Sequence, residues 1–473
     1  SAPSSIASPA TKLYPNLDLD FVPVMTPAEW ARGLALAVFT GALHAAFVAK
    51  LFTQRLTAGS SPWYVTVAPT LAVAVLTFAI HRYLALEEKE QSRLISETDA
   101  ADPDSLFTNV DDVTVHYKLR RPKKGPPRVV VSCCHGFGAN TYSWERCAMS
   151  PLANALGAAV IAHDSPGFGL TARPHDLRKY LPKTNGAISR AMLDVASVAY
   201  QSMEQRTVPQ SPFPKPRRVV MGHSMGGIAA AVAAGAGDVD DVVLVAPALI
   251  PPRVGVKPRL NPNPKPVSLM TALCGALGRF ATAVAVYAFA PFLKLFLRKI
   301  VRSATFWRRG LSKAVGRKCA GIFFTDMSWA DGYRRPSCVK GWDDGMVRVV
   351  LAAATAGVND VWAAESAKVA AAIRKESPAV DTPEDMSTDA AATLEALRCS
   401  GARVLIVHGD EDAIVPLENS RRLADALGPD AQLVVMRGCG HMPHEEDPDV
   451  FVEAVKSFVG EWNPRPTVRA KKP

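Results

Sequence analysis

The feature that most constrains this chain is Gly222-His223-Ser224-Met225-Gly226-Gly227, set between a Val-rich segment and a run of small residues. Arg218–Gly222 reads as a strand and Ile228–Gly235 as a helix, so the serine stands on a strand–turn–helix corner. A corner this sharp has no space for a side chain at Gly222 or Gly226, and it strains the serine itself. It lifts the Ser224 hydroxyl clear of the sheet, at a helix N-terminus where the backbone dipole favours developing negative charge. Ser224 is the candidate nucleophile, and it needs a base from elsewhere in the chain.

His441 is the candidate base. It follows Gly438-Cys439-Gly440, just past the last expected strand, Gln432–Met436. His444 competes from the same loop, and His441 is preferred because it follows the glycine turn nearest the strand end. A base needs a carboxylate to fix its tautomer and stabilise the imidazolium. Gly409-Asp410-Glu411-Asp412 follows the preceding strand; Asp412 is chosen and Asp410 is second. Val245-Ala246-Pro247 carries no acid, which removes the main alternative location. An oxyanion hole needs two backbone N–H groups. Met225 N–H and Phe137 N–H, the latter in His135-Gly136-Phe137-Gly138, are the candidates. Gly136 and Gly138 let substrate approach the backbone and, with His223, complete the residues placed around it. The His223 side chain is expected to turn away from the nucleophile, into a structural role. Asp164, in His163–Gly169, reads as a structural turn residue. The reading needs no cofactor, and no metal-ligand spacing is present.

Around these motifs short apolar runs alternate with helical patterns. Leu106–Val110 and Val113–Leu119 form an expected strand pair turning at Asp111-Asp112. Arg128–Cys134, Ala159–Asp164, Arg218–Gly222, Asp241–Ala246, Arg403–His408 and Gln432–Met436 are Val- and Ile-rich, as strands buried on both faces are. Helical patterns such as Ser189–Gln205 lie between them, so a parallel sheet with helices on both faces is predicted.

The segments outside this alternation set the remaining boundaries. Residues 1–30 form a Pro- and Ser-bearing lead-in. Residues 31–85 hold two apolar stretches, Gly33–Phe52 and Trp63–Leu84, each near the length of a bilayer span. Thr53–Pro62 turns between them, and Trp30, Trp63, Tyr64 and Tyr83 lie at their ends with basic neighbours. A transmembrane hairpin is expected, with buried core helices as the alternative. Residues 86–105 read as a charged linker. Residues 106–247 and 401–465 are the two parts of the core, and 466–473 is a basic tail. Residues 248–400 interrupt the core as a cap. The cap is Pro-rich from Pro251 to Pro266, apolar from Val267 to Phe296, and then basic from Lys294 to Lys318. The chain opens on Ser1, consistent with a targeting segment removed before it.

A net charge of +10 admits nucleic acid or anionic lipid as partners. No RNA-binding aromatic–basic pattern or zinc-finger spacing is present, so nucleic acid is set aside. The eight cysteines are scattered and read as reduced, mostly buried thiols.

In order along the chain, His135–Gly138, Asp164–Gly169, Gly222–Gly227, Gly409–Pro416 and Gly440–His441 resemble the α/β-hydrolase family, over about Leu106 to Trp462. The resemblance implies an eight-stranded, mostly parallel sheet with a helical cap after the sixth strand. Asp102-Pro103-Asp104-Ser105 and Tyr142-Ser143-Trp144 look like a plant or algal subgroup with hydrophobic N-termini, often directed to chloroplasts. The function expected is a membrane-anchored carboxylic ester hydrolase, an esterase or lipase, with an acyl ester or lipid-like substrate. C–C bond or thioester hydrolysis is the second enzymatic reading. A non-catalytic subunit of a membrane protein complex, or a scaffold retaining the fold, is the reading of another class. Epoxide hydrolase and dehalogenase chemistry is disfavoured, because those relatives carry an aspartate where Ser224 stands.

Overall fold

The computed structural model describes residues 24–55, 63–125, 127–204, 215–249, 281, 284–285, 289–355 and 390–460. The lead-in up to residue 23, the Gly59–Pro62 turn, the Pro251–Pro266 run, most of the apolar run after it and the basic tail lie outside the described residues. The chain divides into two compact units, Asp20–Ser96 and the remainder.

Within Asp20–Ser96, two helices, Pro27–Arg55 and Trp63–Gln91, pack on each other. Small residues make the contact: a Cβ on Gly41 would lie 3.3 Å from Ala74 Cβ. Polar pairs stitch the same face, with Thr40 Oγ1 3.2 Å from Thr77 Oγ1 and His44 Nδ1 3.3 Å from Thr70 Oγ1. Lys89 and Glu29 form an ion pair at 2.6 Å. The other faces expose Leu34, Phe39, Leu43, Leu71, Leu76 and Ile80. Pro27–Phe47 and Val67–Gln91 are long and apolar enough to cross a membrane. In the most apolar stretch, 17% of the first and none of the second is buried, unlike core helices of a soluble domain. The charged Glu87–Glu90 segment is not a separate linker helix; it forms the last turns of Trp63–Gln91.

The second unit is built on one sheet of eight strands. They are β1 (Leu106–Val110), β2 (Val113–Arg120), β3 (Val129–Cys134), β4 (Ala158–His163), β5 (Arg217–His223), β6 (Asp241–Val245), β7 (Arg403–Gly409) and β8 (Ala431–Met436). Their order in the sheet is β1-β2-β4-β3-β5-β6-β7-β8. β2 runs antiparallel to β1 and β4, and all other pairings are parallel. Each expected strand is present to within a residue or two. Asp111 and Asp112 make the hairpin turn with φ of 48° and 60°, a conformation their short side chains tolerate.

Alternation along the strands feeds two cores. Ile161 and Val220 face one side, where they meet Ile188, Ala230, Leu397 and Leu423 from four covering helices. Val160 and Val219 face the other, against Trp144, Leu152 and Phe451. Each fully buried aliphatic chain of this kind contributes about 1.5–3 kcal/mol. A third cluster joins Leu311, Phe323, Trp329 and Tyr333 to Ala139 and Met442, which lie in the loops at the strand ends. The helices Ala304–Ala314 and Ser328–Arg334, within the expected cap, therefore share a core with those loops.

Candidate active site

The Val-rich β5 ends in a corner at Ser224, the N-cap of helix Met225–Gly235. Its φ of 52° and ψ of −117° lie in a region that costs an ordinary residue on the order of 1–3 kcal/mol. The corner persists because it is pinned. Ser224 N–H donates to Val245 O at 2.9 Å, and Ser224 O accepts from Gly227 and Ala248 N–H at 3.0 Å each. The glycines are required sterically. A Cβ on Gly222 would lie 2.1 Å from Gly226 O, and one on Gly226 would lie 2.5 Å from Cys134 O. Ser224 is half-buried, with Gly136 packed against it.

Past β7, the fully buried Asp412 carboxylate accepts four hydrogen bonds. Ile414 and Val415 N–H reach Oδ1 at 2.7 and 2.9 Å. His441 Nδ1 and His408 Nε2 reach Oδ2 at 2.7 and 3.1 Å. Burial disfavours the charge, but the His408 and His441 hydrogen bonds, the His441 charge and the Val415 N–H outweigh it and hold Asp412 well below the usual carboxylate range. Asp410, the second choice, instead accepts Gly438 N–H at 2.6 Å and braces the turn.

His441 sits in a loop clamped at the backbone. Its N–H donates to Ala314 O at 2.6 Å, and its carbonyl accepts from His223 Nε2 at 2.8 Å. The His223 ring also stacks on His441 at 4.9 Å and on His444 at 4.8 Å. So His223, among the residues expected around the substrate, is buried and turned toward the histidine loop, as its corner position implied. Burial, with His444 and His441 nearby, pushes the His223 pKa well down, keeping the ring neutral. His444 is fully buried beside Trp144, and burial lowers it to about 3, so its ring is neutral and packed away from solvent.

Three supports were not foreseen. His408 braces Asp412. Glu446 accepts Gly440 N–H at 2.9 Å and Met442 N–H at 3.1 Å, on either side of His441, and Gly316 N–H at 2.7 Å. Glu445 accepts from Trp329 Nε1 at 2.7 Å and from the Tyr333 hydroxyl. Burial pushes Glu445 up to about 7, against the Arg146 charge and the Tyr333 and Trp329 hydrogen bonds. His408 lay in the motif that yields Asp412, four residues before it, so spacing could have found it. The glutamates had no distinguishing signal.

The His135–Gly138 loop follows β3. Ser165 N–H donates to His135 Nε2 at 3.0 Å, so Nδ1 carries the proton and donates to Gly136 O at 2.7 Å. Phe137 N–H and Met225 N–H bond to none of the described residues. Asp164 is structural, as expected. Its buried carboxylate accepts from Thr141 and Leu170 N–H at 2.6 and 2.8 Å and meets His116 Nδ1 at 2.7 Å. Burial opposes its charge, yet His116 and these partners hold it at about 2.

Among curated proteins, a 2-hydroxymuconate semialdehyde hydrolase of Pseudomonas putida is 37% identical over 73 residues, 15% of this chain and 26% of its own length. The match thus spans about a quarter of that relative. A meta-cleavage product hydrolase structure from Pseudomonas fluorescens has a TM-score of 0.43 at 20% identity, covering 76% of this chain and 98% of that one. A bacterial membrane phospholipase A structure has a TM-score of 0.39 at 17% identity, covering 84% and 96%. A sequence model of the alpha/beta hydrolase family matches residues 133–454, well over half of the chain and all the loops described above from His135 to His441, so the chain belongs to that family.

Proposed function

We propose that this hydrolase is a membrane-anchored serine hydrolase of carboxylic esters, lipid esters among them. Ser224 Oγ attacks the ester carbonyl and passes its proton to His441 Nε2. Asp412 holds Nδ1–H and stabilises the imidazolium. The oxyanion is received by Phe137 and Met225 N–H, each donor worth roughly 10²–10³ in rate. Collapse expels the alcohol, which takes the proton from His441. Water then cleaves the acyl-enzyme through the same base. The observation that carries this reading is the 2.7 Å His441–Asp412 bond, set in a loop that His223, the neighbour of Ser224, holds in place.

The apolar outer faces of the N-terminal helices support the anchor, and the second resemblance points to a chloroplast membrane. A fluorophosphonate probe tests the chemistry. The parent should label and Ser224→Ala should not; equal labelling of both sinks the proposal. Release by alkaline carbonate would sink the anchor, and imaging the tagged chain would locate it.

C–C bond hydrolysis is the second reading, favoured by the local match to 2-hydroxymuconate semialdehyde hydrolase. Turnover of that semialdehyde in preference to acyl esters would promote it.

A further inference from the structure

The helical stretch 289–301 is inside out. Its inner side holds charge. Arg298, 1% exposed, pairs with the fully buried Asp343 at 2.5 Å. Lys294 meets Asp344 at 2.6 Å, and Arg302, just beyond, donates to Ser337 O at 2.8 Å. Its outer side holds Phe289, Phe292 and Phe296, which are 66%, 62% and 60% exposed, followed by the exposed Lys299. Positions 289, 292, 296 and 299 recur at three- and four-residue spacing and so share one helical face. A helix facing water does the reverse, because burying an ion pair costs desolvation and exposing a phenylalanine forgoes its transfer energy. The inversion suits a helix whose outer medium is apolar.

The chain around the stripe identifies that medium. Phe306 and Phe324 are also exposed, and Arg308 lies 5.9 Å from the Phe324 ring centre. Arg309 and Lys313 are exposed further along, and no acidic residue occurs between Asp241 and Asp326. Phenylalanines flanked by cations that pair with no acid among the described residues match the boundary of a bilayer bearing anionic headgroups.

We infer that this face of the cap docks on an anionic lipid surface, with Phe289, Phe292 and Phe296 in the acyl boundary and Lys299, Arg309 and Lys313 at the phosphates. The inference extends the membrane reading above, and its test does not depend on ester cleavage.

The full chain is reconstituted in vesicles of phosphatidylcholine, with or without phosphatidylglycerol, carrying p-benzoylphenylalanine at position 292 and, as a control, at the exposed position 450. Irradiation should give a lipid adduct at 292 several-fold above that at 450, and mainly in anionic vesicles. Lys299→Gln, Arg309→Gln and Lys313→Gln should each lower the adduct about fivefold, the equivalent of roughly 1 kcal/mol per cation near the surface. A cross-link from 292 to another segment of the same chain, or to a second copy, would assign the face to that occupant and overturn the inference. So would equal adducts at 292 and 450, or equal yield without phosphatidylglycerol. Adduct formation by a chain that labels with no fluorophosphonate would leave the face standing and the hydrolase proposal lost.

Discussion

Asp412→Asn is a sharp test of the proposed mechanism, because the structure dictates how the new amide must sit. Ile414 and Val415 N–H both point at Oδ1, so that position must keep an oxygen. The amide NH₂ is thereby forced into the Oδ2 position, facing His441 Nδ1 and His408 Nε2. His408 Nε2 also faces Val415 O at 2.9 Å, so it carries a proton and meets the amide donor to donor. That contact should cost about 1–3 kcal/mol of stability. His441 Nδ1 must then accept, which moves the ring proton to Nε2, where it blocks the transfer from Ser224. A triad locked in the wrong tautomer loses a factor of about 10⁴ in turnover, or about 5 kcal/mol of barrier. The assay is kcat on a chromogenic ester together with the rate of fluorophosphonate labelling, on protein checked for folding. A folded variant within about tenfold of the parent in kcat would refute the tautomer argument, as would the same loss arising from Asp410→Asn instead.

Glu446→Ala should leave the acceptors of Gly440, Met442 and Gly316 N–H missing and let the base loop shift. We expect kcat to fall about 10²-fold with KM nearly unchanged, and a folded variant with parental kcat would contradict it. Glu445 is raised from 4.5 to about 7, so the fold favours its protonated form. The stability this supplies is complete below pH 4.5 and is lost as pH rises through 7, about 3 kcal/mol in all. Unfolding midpoints from pH 4 to 8 should therefore fall less steeply in Glu445→Gln, and identical slopes would discard the assignment. Gly226→Ala drives a Cβ toward two main-chain carbonyls, Cys134 O and His135 O, and should cost about 3 kcal/mol and abolish probe labelling. A loss under about 1 kcal/mol in chemical denaturation would mean the corner relaxes.

Much of this architecture is written in local patterns. Val129–Cys134 and Arg403–Gly409 are short, branched and flanked by turn residues, so their strand character needs no knowledge of partners. The Ser224 corner is legible because steric exclusion leaves only glycine at 222 and 226. Asp412 and His441 could be selected because each follows a recognisable strand end. The supports of the candidate base were not legible, since they arise from encounters at long sequence range. Glu446 meets Gly316 across 130 positions, and neither residue type is unusual in its own surroundings. The helix Trp63–Gln91 outran its apolar stretch for a related reason. Glu87 through Gln91 are good helix formers, so the helix continues after its hydrophobicity stops.

The bonds that join residues 314–316 to the histidine loop are made by main-chain atoms on the cap side, Ala314 O and Gly316 N. The strap's side chains are confined as well, because Val315 is buried in the core shared with Leu311 and Tyr333 and a Cβ on Gly316 would lie 2.2 Å from Gly438 O. A single inserted or deleted residue there would slide both atoms out of register. Relatives that diversify nearby should therefore keep the number of strap residues and a glycine at the position of Gly316.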